Sequence, residues 1–194
     1  GIDSIEDKVL ATPYAVYDDT RDNQGVYLSL NAELGQASVK TSVRNDDNEQ
    51  FGTHSTGTIS AGYKLNDELR MFASFGTAFK APTFNQLYWP GYSNPNLLPE
   101  ESESIEVGIK KKINNGQLKI SLYNTKIDNL ISSATNINEA EIDGIEFSAN
   151  LNIAEWKLTF STEYLEPINK DSTNYGKILQ NRAQRSSSLN ASRQ

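Results

Sequence analysis

The reading turns on residues 53–80, THSTGTISAGYKL, then Asn66-Asp67, then ELRMFASFGTAFK. Ile59, Ala61, Tyr63 and Leu65 alternate with polar or small neighbours, and beyond the dipeptide Leu69, Met71, Ala73, Phe75, Thr77 and Phe79 repeat the pattern. A period of two is the strand signature, because successive side chains leave opposite faces. The two runs are joined by a dipeptide. The next connection, residues 81–100, is long and rich in Pro, Asn and aromatics. A short join followed by a long one is the rhythm of the whole chain.

Upstream, residues 6–16 carry strand character broken by Pro13, and residues 17–25 read as a polar loop. Val26, Leu28, Leu30, Ala32 and Leu34 then share one face, and Gly35-Gln36 turns the chain into Ala37, Val39, Thr41 and Val43. Residues 45–51 read as another polar loop. Downstream, Ile105, Val107 and Ile109 alternate with Glu106, Gly108 and Lys110, and Asn114-Asn115-Gly116 signals a hairpin because Asn-Gly tolerates positive φ. Leu118, Ile120 and Leu122 follow, then a loop at 132–138, then Ile145, Phe147, Ala149 and Leu151. A turn near 152–155 leads to Trp156, Leu158, Phe160, Thr162 and Tyr164, and residues 167–180 form a loop before a last strand from Arg182. The pattern predicts about ten strands and no convincing helix. Tight turns fall near 35, 66, 115 and 153, and longer loops near 20, 48, 90, 135 and 173. If neighbouring strands pair antiparallel, every tight turn lies on one rim and every long loop on the other. That is the plan of a transmembrane β-barrel.

A soluble antiparallel barrel also alternates, with its apolar face inward. The membrane reading is favoured by strand length, by opposing faces rich in Lys, Glu, Arg, Ser and Asn, and by aromatics near strand ends, among them Trp156, Tyr164, Phe79 and Tyr63. Composition limits other classes. The 194 residues suit one domain, and a net charge of −7 argues against nucleic acid as a partner. The absence of cysteine excludes disulfides, thiolate metal sites and a cysteine nucleophile, and a single histidine, His54, excludes a multi-histidine metal site. No run approaches the length of a membrane helix, and the first residues lack the basic start and apolar core of a signal peptide.

Three stretches carry a resemblance: the loop Arg44-Asn45-Asp46-Asp47-Asn48-Glu49-Gln50-Phe51-Gly52, the run from Ala73 through Phe79-Lys80-Ala81-Pro82 to Tyr88, and Asn94-Pro95-Asn96-Leu97 with Pro99-Glu100. Ile142-Asp143-Gly144-Ile145-Glu146 adds to them. Together they resemble the barrel of TonB-dependent outer-membrane receptors, over most of residues 20–194. Within that family the likeness is greatest to the branch that transports cobalamin, through the acidic loop, residues 79–82 and residues 176–184. The resemblance implies an all-β, antiparallel transmembrane barrel in the bacterial outer membrane, with lipid outside. It also implies a large nutrient ligand (cobalamin, or alternatively a ferric siderophore), coupling to TonB, and no enzymatic step. The family's barrel has twenty-two strands, a plug and a TonB-contacting motif. Only about ten strands and neither of the other parts are matched, so residues 1–194 read as one partial barrel segment. Isolated, its open edges would pair with one another, aggregate or close into a smaller barrel.

The residues offered for ligand contact lie in the 81–100 connection. Tyr88, Trp89 and Tyr92 are flat and amphipathic, Asn94 adds a polar group, and Pro82, Pro90, Pro95 and Pro99 stiffen the segment. A structural lid is the competing reading. Arg182 is placed by the resemblance on the ligand side, against a plain lumenal arginine. Asp46 and Asp47 with Asn48 and Glu49, and Asp18, Asp19 and Asp22, are candidates for calcium ligation in loops, against ordinary solvated loops. No other cofactor is called for. His54 sits beside Thr53 and Ser55, but no acid is evident to orient it as a triad would need.

Overall fold

The computed structural model describes residues 1–11 and 18–193. Ten strands lie in sequence order in a single antiparallel sheet. They are β1 (Ile2–Val9), β2 (Asp19–Leu34), β3 (Ala37–Asn48), β4 (Gly52–Lys64), β5 (Leu69–Lys80), β6 (Glu100–Ile113), β7 (Gly116–Ser132), β8 (Thr135–Ile153), β9 (Trp156–Asn169) and β10 (Arg185–Arg193). The ladder is open: β1 and β10 are its two edges, and they do not close on one another into a smaller barrel.

Register carries the alternation across the whole sheet. One row runs Ala32, Val39, Ala61, Ala73, Val107, Leu122, Ile145, Tyr164. The apolar rows are exposed: Leu28 keeps 59% of its surface and Ile109 keeps 38%. The four side chains that decide between an oily exterior and a dry interior, Leu28, Ile109, Leu118 and Phe160, do not gather into a core. They lie on the outside of the sheet, and the soluble-barrel alternative fails on this point. The opposite face carries Arg44, Lys119, Glu106, Glu146 and Glu163; there Lys119 joins Glu106 and Glu146 across strands, Tyr123 joins Glu163, and Arg44 reaches Asp3 of β1.

Three expected loops are strand. Residues 19–25 belong to β2, β3 runs to Asn48 and is joined to β4 by 49–51 alone, and β7 meets β8 through Ser133 and Ala134. The cause is physical: beyond the hydrocarbon both faces of a strand are wet, so its composition imitates a loop. Among the described residues the long connections are therefore 81–99 and 170–184, and both lie on the rim opposite the turns near 35, 66, 115 and 154. The first strand is also shifted, to Ile2–Val9, and the rest of the expected 6–16 run reaches residues outside those described. The last strand begins at Arg185, not Arg182.

The sheet also departs from a simple ladder. β4 and β5 pair only from Thr58↔Gly76 down to Lys64↔Arg70. Above that point β4 stays paired with β3 and β5 with β6, and the gap is bridged by the Gly57 N–H donating to Thr77 Oγ1 at 3.0 Å.

Because the outward row faces hydrocarbon, Leu30→Lys should cost about 2–4 kcal/mol, the range for a lysine near the bilayer midplane. Ser29→Lys, on the other face, should cost much less. Denaturant titration of a complete receptor carrying this segment, folded into vesicles, measures both.

Candidate functional site

The 81–99 connection is a built structure. Thr83-Phe84-Asn85-Gln86 forms a capping box: the Gln86 N–H donates to Thr83 Oγ1 at 3.3 Å and the Thr83 N–H to Gln86 Oε1 at 2.9 Å. These bonds satisfy donors that a helix start leaves orphaned. They begin the short helix α1 (Phe84–Tyr88), which buries Phe84 and Leu87 one turn apart. The sequence expectation of no helix is corrected here. The T-x-x-Q signature after Pro82 was the available signal, but five residues are too few to show a helical period.

Three anchors hold the connection to the wall. The first is Arg21, only 6% exposed. Its guanidinium donates to the Pro82 carbonyl at 3.0 Å, to Gln50 Oε1 at 3.3 Å and to Asp7 Oδ2 at 3.0 Å. It also lies over the Phe84 and Phe51 rings, 5.0 and 5.7 Å from their centroids, where the π faces attract a cation. The second is Gln50, whose Nε2 donates to the Tyr88 hydroxyl at 2.9 Å. The third is the β7–β8 hairpin. Asn136 exchanges hydrogen bonds with the backbone of Leu98 at 2.9 and 3.0 Å, and Asn94 Nδ2 donates to the Ala134 carbonyl at 3.1 Å.

Of the five residues offered from sequence, four share this connection. Trp89 and Tyr92 point their surface to solvent, at 41% and 69% exposure, while the Tyr88 hydroxyl is held by Gln50. Asn94 is spent on the fold: besides Ala134 it caps the Asn96 N–H through Oδ1 at 2.9 Å. Arg182 stands apart, exposed in the 170–184 connection with the β7–β8 hairpin between it and the others. That second connection folds back on the lumenal side, where Leu179 is buried against Ile127, Leu130, Ala140 and Ile142. Its tip is braced by the Thr173 N–H donating to Asp171 Oδ1 at 3.0 Å, a bond that holds the Asp171 carboxyl below the usual carboxylate range.

The acidic candidates are engaged in structure. Both Asp46 oxygens accept from the Arg44 guanidinium, at 2.7 and 2.6 Å, and Oδ1 also accepts from Asn23 at 2.8 Å. Arg44 in turn grips Asp3 through two bonds of 2.8 Å. Asp47 is the next residue of β3 and so leaves the opposite face. Asp19 and Asp22 lie in β2. Among the described residues no three acidic or histidine side chains converge as a metal set.

His54 does have an acid, which sequence reasoning missed. Its ring stacks on Phe79 with centroids 3.7 Å apart, in the gap between β4 and β5. Nδ1 lies 3.0 Å from Glu101 Oε1 and Nε2 lies 3.1 Å from the Phe51 carbonyl. Nε2 therefore meets a carbonyl where a triad requires a hydroxyl, and no nucleophile is activated. The ring joins the 49–51 turn to β6 across the parted strands.

On the lumenal wall Lys119 bridges Glu106 at 2.9 Å and Glu146 at 3.2 Å, and the Tyr123 hydroxyl donates to Glu163 at 2.5 Å. Gly144, cross-strand partner of Tyr123, lets that ring lie flat: a Cβ there would meet it at 2.1 Å. This is a wet, charge-bearing surface on one side of a sheet whose other side is oil.

Comparison with known proteins agrees with this geometry. A family description, "TonB dependent receptor-like, beta-barrel", matches residues 3–193. The chain is 36% identical to a protein named Vitamin B12 transporter BtuB of Photobacterium profundum, over 88% of this chain and 30% of the relative. It is also 36% identical to one of the same name from Vibrio vulnificus, over 80% and 27%. The chain thus spans under a third of the length of these relatives. Among solved structures, the siderophore receptor PirA of Pseudomonas aeruginosa aligns with a TM-score of 0.74 at 21% identity, covering 86% of this chain and 36% of that one. A variant of the ferric enterobactin receptor PfeA of the same organism aligns at 0.72 and 16%, covering 90% and 30%. Its outward apolar rows, its lumenal charge ladders and these matches together place the chain in the TonB-dependent receptor family, as a segment of its outer-membrane β-barrel.

Proposed function

We propose that this segment supplies wall and rim to a receptor that imports cobalamin or a related corrinoid across the outer membrane. The observation that carries the reading is the 36% identity, over most of this chain, to two proteins named as vitamin B12 transporters. The solved neighbours named for siderophores are 21% and 16% identical and support the fold alone. A ferric siderophore is the competing ligand.

In this reading the 81–99 connection captures ligand from outside. Trp89 and Tyr92 offer flat amphipathic surface, and the Arg21, Gln50 and Asn136 anchors order the segment before ligand arrives. Ordering in advance reduces what association must spend on immobilising a loop. Passage through the barrel would be driven by TonB acting on the remainder of the receptor, with no bond made or broken in the ligand. Calcium at Asp46 and Asp47 of β3 would have to displace Arg44 from Asp46, so ligand capture is assigned to the aromatic connection alone.

Two measurements test this. Equilibrium titration of a complete receptor carrying this segment should show saturable binding of cyanocobalamin, weakened about tenfold or more by Trp89→Ala with Tyr92→Ala, since buried aromatic anchors are worth about 2 kcal/mol or more. Binding of an iron chelate in place of cyanocobalamin would transfer the assignment to siderophores. Arg21→Ala removes charge-assisted hydrogen bonds worth about 1.5–3 kcal/mol each. Amide exchange across 84–97 should accelerate at least about tenfold and affinity should fall, while the strand amides of β6 and β7 keep their protection.

A further inference from the structure

His54 ties three parts of the loop rim together. Its ring touches both members of the cross-strand pair Phe79↔Glu101, stacking on the first and reaching the carboxylate of the second. Phe79 stands one residue before β5 ends and Glu101 one residue after β6 begins, so the pair sits at both feet of the 81–99 connection. The ring also meets the Phe51 carbonyl, in the turn whose Gln50 holds Tyr88 and whose Phe51 ring lies beside Arg21. Its side chain keeps only 16% of its surface.

Both ring nitrogens face acceptors. Nδ1 lies 3.0 Å from a Glu101 carboxylate oxygen and Nε2 lies 3.1 Å from the Phe51 carbonyl oxygen. An ionised carboxylate and a carbonyl only accept. A neutral imidazole has one N–H and would set its bare nitrogen against one of these oxygens, whereas the imidazolium donates to both. The face of Phe79 also attracts a cation. The surrounding charges act in the same sense. Asp46 of β3 is the cross-strand partner of His54, itself held by Arg44. Glu103 of β6, Asp128 of β7 and Glu139 of β8 line the cleft beside the ring, against Lys126 of β7, and β5 lends that cleft no charge.

We propose that His54 is a positioning residue for the ligand rim and acts as an imidazolium, pinning the 49–51 turn to both feet of the 81–99 connection. Histidine changes charge between about pH 5 and pH 8. The ordering that His54 supplies is therefore present at the acid end of that range and is lost as pH rises and the ring gives up a proton. The tie to ligand capture rests on the function proposed above; the tie to rim order stands apart from it.

Amide exchange of a complete receptor carrying this segment, at about pH 5.5 and pH 8 and corrected for the intrinsic effect of pH on exchange, tests this. Protection across residues 49–53 and 84–97 should be about fivefold higher at the acid end, since the bond to Glu101 is charge-assisted but half exposed. His54→Gln should show the lower protection at both pH values. Glu101→Gln should show the higher protection at both, because its amide can donate to a bare Nδ1 while the Nε2–H still reaches Phe51. A ring that only fills space would give flat profiles in all three proteins. Cyanocobalamin affinity of the parent should follow its exchange profile. A receptor with that exchange profile and no cyanocobalamin binding would support the latch and defeat the cobalamin assignment. Equal protection at the two pH values in the parent, or a pH dependence that survives both variants, would overturn the proposal.

Discussion

Backbone hydrogen bonding is what everything else here depends on. In hydrocarbon an unpaired N–H or C=O costs several kcal/mol, so a wall can face oil only where its ladder is unbroken. The sheet obeys this locally. β4 and β5 are fully laddered beside Ile59, Ala61, Tyr63, Met71, Ala73 and Phe75, and they part only above Thr58 and Gly76. There the outward positions turn polar, with Glu103, Asn124 and Asp143 succeeding Ile105, Leu122 and Ile145. Water reaches the parted strands, and the His54 ring on Phe79 spans them instead of backbone. The same rule makes β1 and β10 intolerable as bare edges at membrane depth, which is why ten strands are a segment of a wall.

The lumenal face follows from the same division. Charges there stand in water, and several of them are paired. Arg44 is shared by Asp46 of its own strand and Asp3 of β1, and Lys119 by Glu106 and Glu146 of the two neighbouring strands. These pairs keep the interior wet and electrically balanced while leaving the rim free to specialise. Arg21 shows how far that goes: a buried cation fastens β1, the 49–51 turn and the start of the aromatic connection at one point. The aromatic connection and the wall then meet in a single side chain at the loop rim.

Period-two patterning was legible wherever one face met oil, and the strands from Val26, Ile105 and Trp156 carried it plainly. It failed where both faces are wet. Residues 19–25, 45–48 and 135–138 are strand with loop composition, because no burial forces alternation there. α1 was hidden by its length, although its capping box stood in the sequence. The site was legible as a segment and not as a set of partners. Trp89 and Tyr92 stood out by residue type, whereas Arg21, Asn136 and the His54–Glu101 pair depend on contacts 38 to 61 residues apart in sequence. A lone arginine within Asp18-Asp19-Thr20-Arg21-Asp22 was the only local hint of the first.

The central claim is which side of this sheet touches oil, and the absence of cysteine lets it be probed directly. Single cysteines at Leu28, Ile109, Leu118 and Phe160, and at the alternates Lys40, Glu106, Lys119 and Glu163, would carry spin labels in a complete receptor in lipid bilayers. The account predicts high collision with oxygen and low collision with a water-soluble relaxer at the first four, and the reverse at the second four. Protection of the first four from both reagents, or a phase opposite to this one, would contradict it.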